Sequence, residues 1–267
     1  MIENIQLDGL NVRVTRLGSG PQIVYLHSGN GELGDFPFVH ELVDRGYSVL
    51  APEFPGFGES DIDPTMISIE DGVFRTNRVL RALGVDHAAA LCGSSFGGWL
   101  AAELLVWWGD LADSLVLIDA AGLHLPDHPT LDIFFHPPEL TTQAANPRGV
   151  DYMAALAPAI GDAMNEVGIM THFIKAQAAV ARVGWSPYLH DPKLPARLQS
   201  VSQPTLVLWG EEDGLVPIEH GRMYADLLSN ATFTTIPETG HLPALEKPRE
   251  TAGLVAEFVN AHQPVRA

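Results

Sequence analysis

The sequence predicts an α/β fold: a mostly parallel, twisted sheet of about eight strands with helices on both faces, plus a mainly helical lid inserted after the sixth strand. Three observations predict it. Short, continuous apolar runs recur along the chain, as expected for strands buried on both faces. Stretches with apolar residues at three- and four-residue steps lie between them. The alternation stops after Ile118 and resumes at Val201, which marks an insertion between two strands of one sheet.

The elements follow in order. Ile5 and Leu7, then Val12, Val14 and Leu17, alternate as half-buried strands do, and Asp8-Gly9 supplies the turn between them. Continuous apolar runs follow at Ile23–Leu26, Ser48–Ala51, Ala88–Leu91, Leu115–Ile118, Thr205–Trp209 and Thr232–Ile236. Helical patterns occupy Phe36–Arg45, Ile69–Leu83, Gly98–Trp108, Ile218–Leu228 and Arg249–Ala261. From Gly122 to Gln199 the chain is rich in proline, histidine and aromatics, with one helical stretch at Val167–Val183. The expected organisation is a first core part at 1–121, a lid at 122–199 and a second core part at 200–267. A lid there would cover the carboxyl edge of the sheet, where open α/β sheets place their ligand crevice.

Composition narrows the function classes. The 267 residues can bury a full core. A net charge of −18 argues against binding a phosphate backbone and against docking on anionic lipid. The longest apolar stretch, Ala88 to Trp108, is broken by Gly93, Ser94, Ser95, Gly97, Gly98 and Glu103, so it reads as strand, turn and helix, not as a membrane span. A lone cysteine, Cys92, and an N-terminus without a signal-peptide pattern lead to the expectation of a cytoplasmic protein. Cys92 itself reads as a small buried hydrophobe.

The chemistry concentrates at Leu91-Cys92-Gly93-Ser94-Ser95-Phe96-Gly97-Gly98, a Gly-x-Ser-x-Gly set between an apolar strand and a helix. A serine on such a sharp turn has strained backbone geometry and an exposed hydroxyl. The helix N-terminus beneath it favours developing negative charge, and the Phe96 N–H can donate to an oxyanion. The pattern alone is only suggestive. A glycine-rich turn of this kind can also cradle phosphate, but no Walker lysine and no Gly-x-Gly-x-x-G is present. A nucleophilic serine needs a histidine base, and that base needs an orienting carboxylate.

Three further segments supply the context. Tyr25-Leu26-His27-Ser28-Gly29-Asn30-Gly31 is similar to the His-Gly-x-x-Gly loop of the α/β-hydrolase family, with Ser28 in place of the usual first glycine. Pro55-Gly56-Phe57-Gly58-Glu59-Ser60 is similar to that family's Pro-Gly-x-Gly-x-Ser turn, which shapes the core. Trp209 to Pro217 and Thr239-Gly240-His241-Leu242-Pro243 resemble its acid and histidine turns. The sequence thus resembles the α/β-hydrolase family over nearly the whole core. The resemblance implies Ser95 as nucleophile, Asp213 as acid and His241 as base, in the family's chain order. It also implies Gly29 as the second oxyanion donor beside Phe96, and His27 as a support of that loop. Among competing acids, Glu211 and Glu212 read as a solvated turn, and Asp119 ends the strand after the nucleophile helix.

Serine at the elbow argues against the relatives with aspartate there, such as haloalkane dehalogenases and epoxide hydrolases. The expectation is a hydrolase of a carboxylic ester, lactone or related acyl bond acting through an acyl-enzyme. One alternative is carbon–carbon bond hydrolysis of vinylogous diketones, whose enzymes carry Asn before the serine and Trp after the histidine; here those positions hold Ser94 and Leu242. Another is a small-molecule receptor on the same fold without turnover. No cofactor is expected, and no metal: Pro126, Pro129 and Pro137 interrupt any helix that would align His124, His128 and His136. The expected partner is a small apolar or aromatic acyl compound, with no nucleic acid and no membrane. Phe134, Phe135, Tyr152, Phe173, Trp185 and Tyr188 are candidate contacts from the lid, as are Arg148, Lys175 and Arg182 for a carboxylate, but lid packing and a solvated face are the commoner roles for such side chains, and none is assigned to binding.

Overall fold

The computed structural model describes residues 1–32, 35–152 and 166–263. Residues 153–165 of the predicted lid lie outside the described residues. The strands are β1 (Ile2–Leu7), β2 (Leu10–Gly18), β3 (Gln22–Leu26), β4 (Ser48–Pro52), β5 (Ala90–Ser94), β6 (Leu115–Ile118), β7 (Thr205–Gly210) and β8 (Ala231–Ile236). They form one eight-stranded sheet in the order β1-β2-β4-β3-β5-β6-β7-β8. β2 runs antiparallel to β1 and β4, and the other pairings are parallel. The Asp8-Gly9 turn joins Leu7 to its partner Leu10, and both turn residues have positive φ, as a two-residue hairpin of this hand requires.

The helices among the described residues are α1 (Pro37–Asp44), α2 (Ile69–Ala82), α3 (Phe96–Trp107), α4 (Pro138–Ala145), α5 (Glu166–Gly184), α6 (Leu194–Leu198), α7 (Ile218–Leu227), α8 (Pro243–Glu246) and α9 (Pro248–His262). α2 begins at a capping box: Ser68 Oγ accepts the Asp71 N–H at 3.2 Å and Asp71 accepts the Ser68 N–H at 3.0 Å. Alternate strand residues feed two cores. Val24, Leu26, Leu115 and Leu117 pack with α2 and α3, whereas Ile23, Tyr25, Val116 and Ile118 pack with α1 and α9. Burial on both faces is why these strands read as continuous apolar runs.

One strand differs from expectation. The apolar run at Ala88–Leu91 becomes a strand at Ala90–Ser94, because pairing with β6 continues through Gly93↔Leu117 and Ser94↔Ile118. Ala88 makes only an isolated bridge to Ala112. The apolar pattern could not show this, since the strand's last residues are small and polar.

Between β6 and β7 lie α4, α5 and α6. α4 was not predicted, because it buries only Ala145 and so carries no apolar stripe. This segment is tied to the core by Arg197, whose guanidinium lies 3.3 Å from Glu103 of α3 and 2.7 Å from Asp191. No helix among the described residues is long and apolar enough to cross a membrane.

Leu117 sits fully buried in a central strand. Leu117→Ala should cost about 2–5 kcal/mol in urea unfolding; a loss below about 1 kcal/mol would contradict the packing described here.

Candidate active site

Two close approaches build the elbow after β5. A Cβ added to Gly93 would stand 2.1 Å from the Gly97 carbonyl oxygen, and one added to Gly97 would stand 2.1 Å from that of Leu26. Only glycine lets α3 start this close to β5 and to the end of β3. Ser95, between them, has φ 51° and ψ −114°, a strained conformation for a side-chain-bearing residue. The surrounding backbone holds it there: the Ser95 N–H donates to Ile118 O at 2.8 Å, and Ser95 O accepts the Ala121 N–H at 3.1 Å.

The Ser95 hydroxyl faces His241 Nε2 at 2.8 Å, and His241 Nδ1 lies 2.7 Å from Asp213 Oδ2. Asp213 Oδ1 accepts the N–H groups of Leu215 and Val216 at 2.8 and 2.9 Å, which fixes the carboxylate in its turn. An acceptor opposite Nδ1 makes that nitrogen the protonated one, leaving the Nε2 lone pair toward Ser95. Ser95, Asp213 and His241 come from the ends of β5, β7 and β8, as the sequence pattern requires.

Two of the competing acids are engaged elsewhere. Glu211 accepts from the Thr235 hydroxyl and Glu212 pairs with Arg148. Asp119 is fully buried and accepts the Gly210 N–H on Oδ1 at 2.8 Å, while its Oδ2 has no hydrogen-bond partner among the described residues. Burial, and then the neighbouring Asp213 charge, hold its carboxyl well above the usual range. Ligand-type atoms of Asp119, Asp213 and His241 lie within 4.8 Å of one another. Both ring nitrogens of His241 are committed, Nε2 to Ser95 and Nδ1 to Asp213.

The loop after β3 comes up beside the elbow. A Cβ built on Gly29 would lie 4.0 Å from that of Phe96. Among the described residues no hydrogen bond uses the N–H of either one. His27 braces this loop: Nε2 accepts the Phe54 N–H at 3.0 Å, so Nδ1 carries the proton and donates to Ser28 O at 2.8 Å.

Some supports were invisible in the sequence. Glu246 accepts the N–H groups of Gly240 and Leu242, on either side of His241, at 2.8 and 3.2 Å. The His241 N–H donates to Ala145 O at 2.7 Å, and the Gly214 N–H to Ala144 O at 3.0 Å. A carboxylate five residues beyond the histidine gives no signal of its own until the chain turns back. Most of the candidate contacts in residues 122–199 have partners within the protein. Phe134 packs on Trp185 and Tyr188, Arg148 pairs with Glu212 and Glu238, Lys175 donates to Gly58 O, and the Tyr152 hydroxyl lies 2.8 Å from Glu246 Oε1. α5 lies over the loops beside the elbow, with Val180 against Gly29 and Ala179 against Gly56.

Comparison with known proteins places this geometry in context. A family model described as the alpha/beta hydrolase family matches residues 23–254. The 2-hydroxy-6-oxo-6-(2'-aminophenyl)hexa-2,4-dienoic acid hydrolase of Metapseudomonas resinovorans is 25% identical over 268 residues, covering 96% of this chain and 90% of its own. A meta-cleavage product hydrolase from Pseudomonas fluorescens IP01 superposes with a TM-score of 0.77 at 21% identity, over 98% of each chain. The esterase RhEst1 from Rhodococcus sp. ECU1013 superposes with a TM-score of 0.72 at 21% identity, over 98% of this chain and 99% of its own.

Burial lowers the pKa of His27 from 6.5 to about 4. Between those values the unfolded chain binds more protons, so stability falls as pH falls. Glu53 and Glu103, held up to about 7 chiefly by burial, act in the opposite sense, so the difference between variants is diagnostic. From pH 7 to pH 5, the wild type should lose about 2 kcal/mol more than His27→Gln in chemical denaturation. Equal losses would count against a neutral, buried His27.

Proposed function

This chain belongs to the alpha/beta hydrolase family, and we propose that it hydrolyses a carboxylic ester, lactone or related acyl bond through Ser95. The observation that carries the reading is the continuous hydrogen-bonded path from Ser95 Oγ through His241 to Asp213 Oδ2. An unassisted serine hydroxyl is a weak nucleophile, and this path supplies the base and its orientation.

In the proposed cycle Ser95 Oγ attacks the substrate carbonyl while His241 Nε2 takes its proton. The carbonyl oxygen, now negative, receives the N–H groups of Phe96 and Gly29. Asp213 keeps the proton on Nδ1 and stabilises the imidazolium. His241 then protonates the leaving group, the acyl–Ser95 ester remains, and a water deprotonated by His241 releases the acid and frees Ser95. We read residues 122–199 as the cap over this site and its substrate as an apolar or aromatic acyl compound. The single cysteine, Cys92, buried, supports a cytoplasmic setting.

A second reading, carbon–carbon bond hydrolysis of a vinylogous diketone, is favoured by the full-length relative named as a dienoic acid hydrolase. Against it, Ser94 and Leu242 stand where such enzymes carry Asn and Trp. The same triad serves both reactions, so substrates must decide.

A fluorophosphonate should label Ser95, and Ser95→Ala should abolish labelling and turnover. Folded protein that does not label would leave a receptor instead. A panel of p-nitrophenyl esters, lactones and one vinylogous diketone separates the two reactions; turnover of the diketone alone would overturn the ester reading. Asp213→Asn should reduce kcat about 10⁴-fold by reversing the His241 tautomer, and activity near wild type would remove Asp213 from the acid role.

A further inference from the structure

Glu32 is fully buried beside the loop that carries Gly29, and the hydrolytic cycle does not use it. Its Oε1 accepts the Ser28 N–H at 2.6 Å and the Tyr25 hydroxyl at 2.8 Å, and its Oε2 accepts the Ser28 hydroxyl. Ser28 Oγ in turn accepts the Asn30 N–H at 3.0 Å. One carboxylate therefore gathers the end of β3, the backbone of Ser28 and, through its hydroxyl, the next turn. Burying a carboxylate is costly unless several donors face it, and here they do. Burial raises its pKa, and the bonds from Ser28 and Tyr25 oppose that rise.

What the tether controls follows from peptide geometry. A trans peptide unit is planar, with its C=O and N–H directed oppositely. Ser28 O is held by His27 Nδ1–H at 2.8 Å and by the Gly31 N–H at 3.2 Å. Fixing that carbonyl fixes the direction of the Gly29 N–H, provided Ser28 itself cannot rotate. Glu32 stops that rotation from the other side of the residue. The Ser28 side chain, present where the resembled loop carries glycine, gives Glu32 its second point of hold.

We propose that Glu32 is a positioning residue: by clamping Ser28 at its N–H and its hydroxyl, it aims the Gly29 N–H at the oxyanion. The proposal rests on the hydrolase reading given above. It touches no reacting atom, so its removal should weaken transition-state stabilisation and leave substrate binding alone.

The test compares wild type with Glu32→Ala, Glu32→Gln and Ser28→Ala. It reads kcat and KM on the best p-nitrophenyl ester, the rate of Ser95 phosphonylation by a fluorophosphonate, and the Gly29 amide resonance. For Glu32→Ala, kcat and phosphonylation should both fall about tenfold to a hundredfold, with KM within about twofold of wild type and the Gly29 resonance moved. Glu32→Gln keeps an acceptor for Ser28 N–H and Tyr25, so it should recover most of the rate. A folded Glu32→Ala with unchanged kcat, or one changed in KM and melting temperature alone, would overturn the proposal. Should Glu32→Ala not fold, Ser28→Ala keeps the carboxylate and removes one hold. Wild-type rates with an unmoved Gly29 resonance in that variant would be equally fatal. Persistent activity in Ser95→Ala, or no labelling of wild-type Ser95, strikes the hydrolase reading instead; the Gly29 resonance in the Glu32 variants then still decides whether the clamp exists.

Discussion

The contact between Gly97 and the Leu26 carbonyl oxygen sets the geometry on which the rest of the site depends. The missing side chain lets the first turn of α3 rest on the end of β3, and the loop from His27 to Glu32 begins at that point. Two neighbouring strand ends, β3 and β5, are thereby held at a fixed spacing, with Phe96 and Gly29 brought side by side. Gly93 does the same between β5 and α3, so the strained Ser95 is enclosed by backbone on both sides. A larger residue at either glycine would have to push apart backbone that the sheet register has already fixed. The strain at Ser95 persists because this surrounding frame over-determines it.

Much of this was legible in the chain. Continuous apolar runs and a period of 3.6 located most strands and most helices within one or two residues, because strands buried on both faces and amphipathic helices carry their burial in their apolar pattern. The Gly-x-Ser-x-Gly at the elbow, and two later turns that resemble the family's acid and histidine turns, led to the expectation of Ser95, Asp213 and His241. What was not legible depends on the chain returning to itself. Glu32 and Glu246 look like ordinary acids in sequence, and only folding brings them beside the loop after β3 and the histidine turn. α4 escaped notice because a helix with one buried residue has no stripe to detect. The extension of β5 through Gly93 and Ser94 is likewise a matter of pairing, which no local pattern contains.

The charge distribution shows how an acidic chain can hold acids inside. Most of its surplus carboxylates face solvent, but a few are drawn into the interior where donors converge. Glu32 meets Tyr25 and Ser28, Glu53 meets Arg13 and the Ser60 N–H, and Glu103 meets Arg197. Glu53 and Glu103 join segments far apart in sequence, whereas Glu32 ties the end of β3 to the loop that follows it; removing one partner would leave the other desolvated. Glu53 holds the Pro55–Ser60 turn and Glu32 the loop after β3, so two of the segments that resemble family motifs hang on an internal carboxylate.

The strip Ala144–Ala145 has a consequence for how such proteins can be diversified. It belongs by sequence to the segment between β6 and β7, yet its carbonyls receive the N–H groups of Gly214 and His241, one in the turn that carries Asp213 and one in the turn that carries His241. Tyr152, a few residues on, reaches Glu246 beneath the same histidine. Specificity engineering often treats an inserted segment as an exchangeable cassette, spliced at the strand ends. Here a cut at those ends would remove part of the scaffold that seats the histidine, so a graft has to leave residues 144–152 with the recipient core.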